Sequence, residues 1–198
     1  MAATNAVGTG AASASVAVTP SFDSYTAPSA TGSGIITAAF TGGGPTCAYA
    51  TAQFIAAPPG TGRVPSVAPP NVVFPDGLFD FSTTGCTAGA TLQFTITYPA
   101  PLPPGTQYWK YGPTAADPAP HWYVLPAIVT GNVAKFSIAD GGLGDDDLTV
   151  NGVVVDQGGP GAPGAPVLPR DIPTLGEWAM ALLGLLLASI GVARSRTR

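Results

Sequence analysis

The residues with the most chemistry to offer lie close together in the chain. Asp140, Asp145, Asp146 and Asp147 fall within Asp140-Gly141-Gly142-Leu143-Gly144-Asp145-Asp146-Asp147, and Asp156 follows Asn151-Gly152. Carboxylates this near one another repel, and a divalent cation relieves the repulsion while flexible glycines let backbone carbonyls turn inward as further ligands. Hard oxygen donors at this density make calcium the candidate ion. A solvated turn is the competing reading, because the spacing departs from an EF-hand loop and no Glu closes a bidentate site.

Other catalytic constellations find little support. A surface hydrolase would need paired carboxylates such as Asp140 and Asp156 facing each other across a cleft. His121 is the single histidine, and nothing around it resembles a nucleophile elbow or a triad. Phosphate loops, zinc signatures and dinucleotide fingerprints are missing, and Gly141-Gly142-Leu143-Gly144 lacks the strand-to-helix setting such loops need. The expectation is a protein that is not an enzyme. Tyr108, Trp109, Tyr111, Trp122 and Tyr123 could stack on sugars, which keeps a surface carbohydrate-binding module as the alternative, although aromatics in a small domain more often fill its core. With a pI near 4.5 and three of seven basic residues in the last five positions, no cationic face is left for phosphates, so nucleic acid is not an expected partner.

Cys47 and Cys86 are the only cysteines. A disulfide between them suits an oxidising compartment, and closing a loop of this size stabilises a fold by about 3 to 4 kcal/mol. The other reading is a pair of free thiols in a reducing compartment. A metal site is poorer, since no second Cys or His lies at ligand spacing.

The elements that must position these residues follow from composition. Gly and Pro supply 26 and 22 of 198 residues, which forbids long soluble helices and leaves short strands joined by turns. Apolar stretches recur at Ile35 to Phe40, Ala48 to Ile55, Val72 to Phe74, Leu92 to Tyr98, Trp122 to Leu125, Val133 to Ile138 and Val150 to Val155. Their spacing predicts an all-β, β-sandwich-like domain over residues 31–156, after a low-complexity segment at 1–30. Residues 157–171 carry almost no core-forming side chains and read as a Pro/Gly linker, so the domain is expected to end near Asp156.

The chain changes character at its end. Residues 179–193 carry no charge, and Arg194, Arg196 and Arg198 follow. As a single transmembrane helix the run spans about 22 Å against a hydrocarbon core of ~30 Å, with Trp178 and Arg194 extending its reach. A core helix would show polar residues at a 3.6 period, and only Ser189 interrupts the apolar circumference. Basic residues beyond the run stay cytoplasmic, which puts the β-domain on the far side of the membrane lipid.

Ile172-Pro173-Thr174-Leu175-Gly176-Glu177-Trp178, then an apolar helix, then arginine, resembles the IPTL-type carboxy-terminal sorting signal of Gram-negative bacteria across residues 172–198. The resemblance implies a partner, an exosortase-family membrane enzyme that cleaves near the motif, with Ile172, Pro173, Thr174, Leu175, Trp178 and Arg194 as signal residues. It implies residence in the inner membrane with the domain on the periplasmic side, then transfer to the cell surface or release. Pro173 keeps the motif extended outside the bilayer, and Thr174 with Glu177 can cap the helix entry. The first 19 residues lack both parts of a secretory signal peptide, so either a leader stands ahead of them, the favoured reading, or the protein is not exported and the surface reading fails. Tyr108 to Pro113, His121 to Tyr123, the Asp140 to Asp147 stretch and Asn151-Gly152 to Gly159 resemble a choice-of-anchor U domain over residues 92–160. That family precedes several surface-anchoring tails, which implies display at the envelope in a structural or interaction role with an unidentified surface ligand.

Overall fold

In Thr91–Thr97 every second side chain is apolar: Leu92, Phe94 and Ile96 are buried while Thr91, Gln93 and Thr97 face water. This period-two pattern makes a strand with one face on a core. The computed structural model describes residues 4–5, 8–9, 23–57 and 67–164 and forms thirteen strands there. They are β1 (Thr4–Asn5), β2 (Gly8–Thr9), β3 (Ser24–Pro28), β4 (Ile35–Thr41), β5 (Ala48–Ile55), β6 (Val72–Val73), β7 (Leu78–Thr84), β8 (Thr91–Thr97), β9 (Gln107–Gly112), β10 (His121–Val124), β11 (Ala127–Thr130), β12 (Val133–Ala139) and β13 (Val155–Pro163). No helix occurs among the described residues, and none there is long and apolar enough to cross a membrane.

Two antiparallel sheets carry the domain. One runs β11-β12-β8-β4-β3; the other runs β10-β9-β13-β7-β5, with β6 pairing β13, while β1 and β2 form a separate ribbon. The inner faces meet in an aromatic core. Phe81 packs on Phe94 with ring centroids 5.0 Å apart, and Tyr108 packs on Phe136 at 4.2 Å, each pair joining one sheet to the other. Such pairs add to the burial of their large apolar areas. A smaller cluster around Ile55, Phe74 and Leu78 gathers Trp109 and Trp122.

The expected all-β sandwich is therefore present, and six of the seven expected stretches, those at 35–40, 48–55, 72–74, 92–98, 122–125 and 133–138, coincide closely with strands. Corrections concern the edges and the end. The segment 1–30, expected to be low complexity, contains β3, which pairs with β4 from Ser24↔Ala39 to Pro28↔Ile35. Val150 to Val154 is turn and loop, and β13 starts only at Val155. The domain does not end near Asp156: its compact unit reaches Gly164, and the first seven residues of the expected linker belong to β13.

The glycines explain why this strand escapes a reading of side chains. A Cβ at Gly161 would stand 2.4 Å from Trp109 Cδ1, and one at Gly159 would stand 2.6 Å from the Gly77 carbonyl oxygen. The strand is central because it lacks side chains, which lets its neighbours close over it. Pro160 pairs with Tyr108 on the β9 side. It falls between the end of the β7 ladder at Gly158 and the start of the β6 ladder at Ala162, so a missing donor disrupts neither.

Candidate functional site

The acidic stretch leaves the end of β12 and returns to β13, passing beneath the turn that joins β7 to β8. Asp140 is buried, and its Oδ2 accepts the backbone N–H groups of Gly89 at 2.7 Å and Gly152 at 2.8 Å, while Oδ1 accepts that of Asn151 at 3.3 Å. Burial works to raise its pKa, but these donors and the Val153 amide outweigh it and hold the carboxyl below the usual carboxylate range. Asp145 is also buried; it accepts from Gly141 N–H at 2.8 Å and from Val155 N–H at 3.0 Å. Here burial prevails, and the carboxyl is pushed up despite those bonds. Asp147 lies exposed, accepting from Thr149 N–H and from Asn151 Nδ2, each at 2.8 Å.

Asp146 is drawn the other way, into the sandwich. Its amide donates to the Val155 carbonyl at 2.8 Å, its Oδ1 meets Lys110 Nζ at 2.8 Å, and its Oδ2 accepts Gln157 Nε2 at 3.1 Å. The structure thus does not gather Asp140, Asp145, Asp146 and Asp147 around one point. Among the described residues no group of three or more His, Cys, Asp or Glu side chains is arranged to hold a metal ion. The partners these carboxylates meet are backbone amides, the Asn151 and Gln157 side-chain amides and one ammonium.

Lys110 and Asp156 form the centre of the arrangement. Both side chains are fully buried, and Nζ lies 2.5 Å from Asp156 Oδ1. Lys110 sits on β9, whose alternation turns Tyr108, Lys110 and Gly112 inward; Asp156 lies on β13, two residues before Gly158, the register partner of Lys110. Strand parity places both on the inner face as diagonal neighbours. Burial acts to lower the Lys110 pKa, yet Asp156 and then Asp146 outweigh it, so the ammonium is held above its ordinary value. Beside them burial, only partly countered by Lys110, pushes the Tyr123 hydroxyl up to about 12. Sequence reasoning grouped Asp156 with the calcium candidates and gave Lys110 no role. The available signal was a lysine at an inward position of an aromatic strand, in a chain with two lysines.

The remaining candidates are placed as follows. Asp140 is held by the Gly89 and Gly152 amides, and Asp156 by Lys110. His121 Nδ1 lies 2.8 Å from the Ala119 carbonyl and 3.6 Å from Asp117. Tyr108 is in the core, while Trp109, Tyr111, Trp122 and Tyr123 are half-buried. Trp122 stacks on Phe74, donates Nε1–H to the Val67 carbonyl at 2.9 Å, and meets Tyr111 at a 58° tilt, so those two rings are not coplanar. A cleft of about 460 Å³ lies among Tyr111, Pro113, Pro120, Asp146, Asp147 and Gln157. Cys47 and Cys86 are joined in a disulfide, as expected for an oxidising compartment.

The signal residues Ile172, Pro173, Thr174, Leu175, Trp178 and Arg194, with the apolar run 179–193, lie outside the described residues. Comparison with known families matches residues 172–197 to the IPTL-CTERM motif, a carboxy-terminal sorting signal. The match is confined to the tail and does not extend to the likeness of residues 92–160 to a choice-of-anchor U domain. No curated protein and no solved structure matches the chain.

Proposed function

We propose that this is an exported protein of the bacterial envelope, whose disulfide-closed sandwich is displayed in a structural or interaction role and whose tail is a sorting signal handled by an exosortase-family enzyme. The observation that carries the reading is the IPTL-CTERM match at residues 172–197. Two further features support it. The disulfide between Cys47 and Cys86 suits a compartment outside the cytosol. The uncharged run at 179–193, followed by arginines, suits a helix inserted with its basic end in the cytoplasm. The likeness to choice-of-anchor U domains agrees with display. In this reading the sandwich stands on the periplasmic side of the inner membrane until the tail is processed.

The test is fractionation of the chain, expressed from its natural gene in a host with and without its exosortase. With the enzyme, peptide mapping is expected to find a new carboxy terminus near residues 172–175 and the domain at the surface or in the medium. Without it, the intact chain is expected in the inner membrane. An intact chain in the cytosolic fraction of both hosts overturns the reading.

A further inference from the structure

Lysine and aspartate are almost never fully buried unless paired, and here two carboxylates share one ammonium in an aromatic interior. Lys110 and Asp156 have no exposed side-chain surface, and Asp146 is nearly covered. The Lys110–Asp156 pair therefore sits where water cannot reach, an arrangement whose desolvation cost is large. An amide between the two buried groups would remove one charge of each sign and keep the same packing.

The surroundings leave room for this chemistry. A Cβ at Gly112 would stand 2.1 Å from Asp146 Oδ1, and one at Gly158 would stand 2.9 Å from Tyr108 Cε1 and 3.3 Å from Lys110 Cγ. A side chain at Gly112 would press on Asp146, and one at Gly158 on Lys110. Asp146 is held by the hydrogen bond its backbone N–H donates to the Val155 carbonyl and by the one its Oδ2 accepts from Gln157, which sets its Oδ1 against Nζ at 2.8 Å.

We propose that Lys110 and Asp156 become joined in the folded protein by an intramolecular isopeptide bond, with Asp146 carrying the protons. Asp146 takes one proton from Nζ and passes it to the Asp156 carboxylate, which becomes a carboxylic acid. The freed amine attacks Cγ of Asp156. A second Nζ proton travels through Asp146 to the departing hydroxyl, the Cγ–O bond breaks, and one water leaves. The Nζ–Cγ bond replaces it, Asp146 ends as a carboxylate, and no oxidant or cofactor is consumed. Contact between the reacting groups supplies the proximity term, and exclusion of water from the core favours condensation over hydrolysis. The bond would staple β13, the last strand of the domain, to β9. It is a single self-directed event and depends on folding, not on the sorting of the tail.

Intact-mass spectrometry of the purified, folded, oxidised full-length chain decides the matter. The expected mass lies below that of the disulfide-bonded sequence by one water, about 18 Da. After reduction of the disulfide, trypsin is expected to leave the bond after Lys110 uncut and to yield one branched species joining residues 64–135 to residues 136–170. A folded chain at full mass with Lys110 cleaved overturns the proposal, as does a water loss mapped to any other site. Asp146→Asn, checked for folding by circular dichroism, is expected to retain the water and a cleavable Lys110. If that variant condenses as fully as the parent, Asp146 is not the proton carrier.

Discussion

The Asp140 carboxylate and the Gly152 amide meet at 2.8 Å, and the same oxygen takes the Gly89 amide at 2.7 Å. One buried side chain thereby fastens the loop before β13 to the turn between β7 and β8.

Asp140→Ala is therefore expected to destabilise the domain by about 3 kcal/mol or more, because hydrogen bonds to a charged group are strong and their buried donors would be left unpaired. Urea denaturation at neutral pH measures this. Asp140→Asn, which keeps one acceptor, is expected to lose less.

Asp140 and Asp145 should respond to acid with opposite signs. The folded pKa of Asp140 is depressed, so its contribution is present above the ordinary aspartate value of about 3.9 and fades as pH falls through the folded value. That of Asp145 is raised, so ionisation opposes folding, and the penalty disappears as pH falls below the ordinary value. The stability deficit of Asp140→Asn relative to the parent should shrink on acidification, and that of Asp145→Asn should grow. Paired denaturation curves from pH 7 to pH 3 check both directions.

Removing the disulfide by Cys47→Ser with Cys86→Ser opens a loop with a sequence separation of 39. The loop-entropy relation gives a loss of about 4 kcal/mol. A reduced, alkylated parent compared with the double variant by thermal melting should give the same value.

Gly161→Ala is expected to cost about 1 to 3 kcal/mol, the range for forcing extra volume into a packed site. The added methyl would meet Trp109 Cδ1 at 2.4 Å and Val72 Cγ1 at 2.6 Å. A shift in tryptophan emission accompanying the lower melting temperature would locate the strain at Trp109.

Calcium is expected to leave the melting curve where a chelator leaves it, since each loop carboxylate already has its own donors. A site with a Kd of about 10 μM would stabilise by about 2.7 kcal/mol at ~1 mM ion, a shift well within reach of calorimetry. A rise of that size would mean that the loop rearranges around the ion.

The sheet architecture was legible wherever one face of a strand is dry and the other wet, as in β8 and β12, because alternation is then written in the residue types. It was illegible in β7, where Leu78 joins the smaller cluster while Phe79 and Phe81 face the main core, so both faces are apolar at the start of the strand. It was least legible in β13, whose Gly-Gly-Pro-Gly composition signals a turn or linker. The acidic loop was recognised as a special place from its carboxylates alone. What they contact could not be read, because beside local donors such as Gly141, Thr149 and Asn151 the groups that answer them include residues 89, 110 and 152–157, and only folding brings these together.

The placement of β13 has a mechanical consequence. It is the last strand of the domain to be synthesised, yet it lies between β9 and β7, not at a rim of the sheet. Tension drawn on the chain at Gly164 would enter along the axis of a strand bonded on both flanks, so its ladders would be loaded in shear and would have to fail together. A domain held by that end is gripped by its middle, and it resists peeling where a rim strand would unzip one bond at a time.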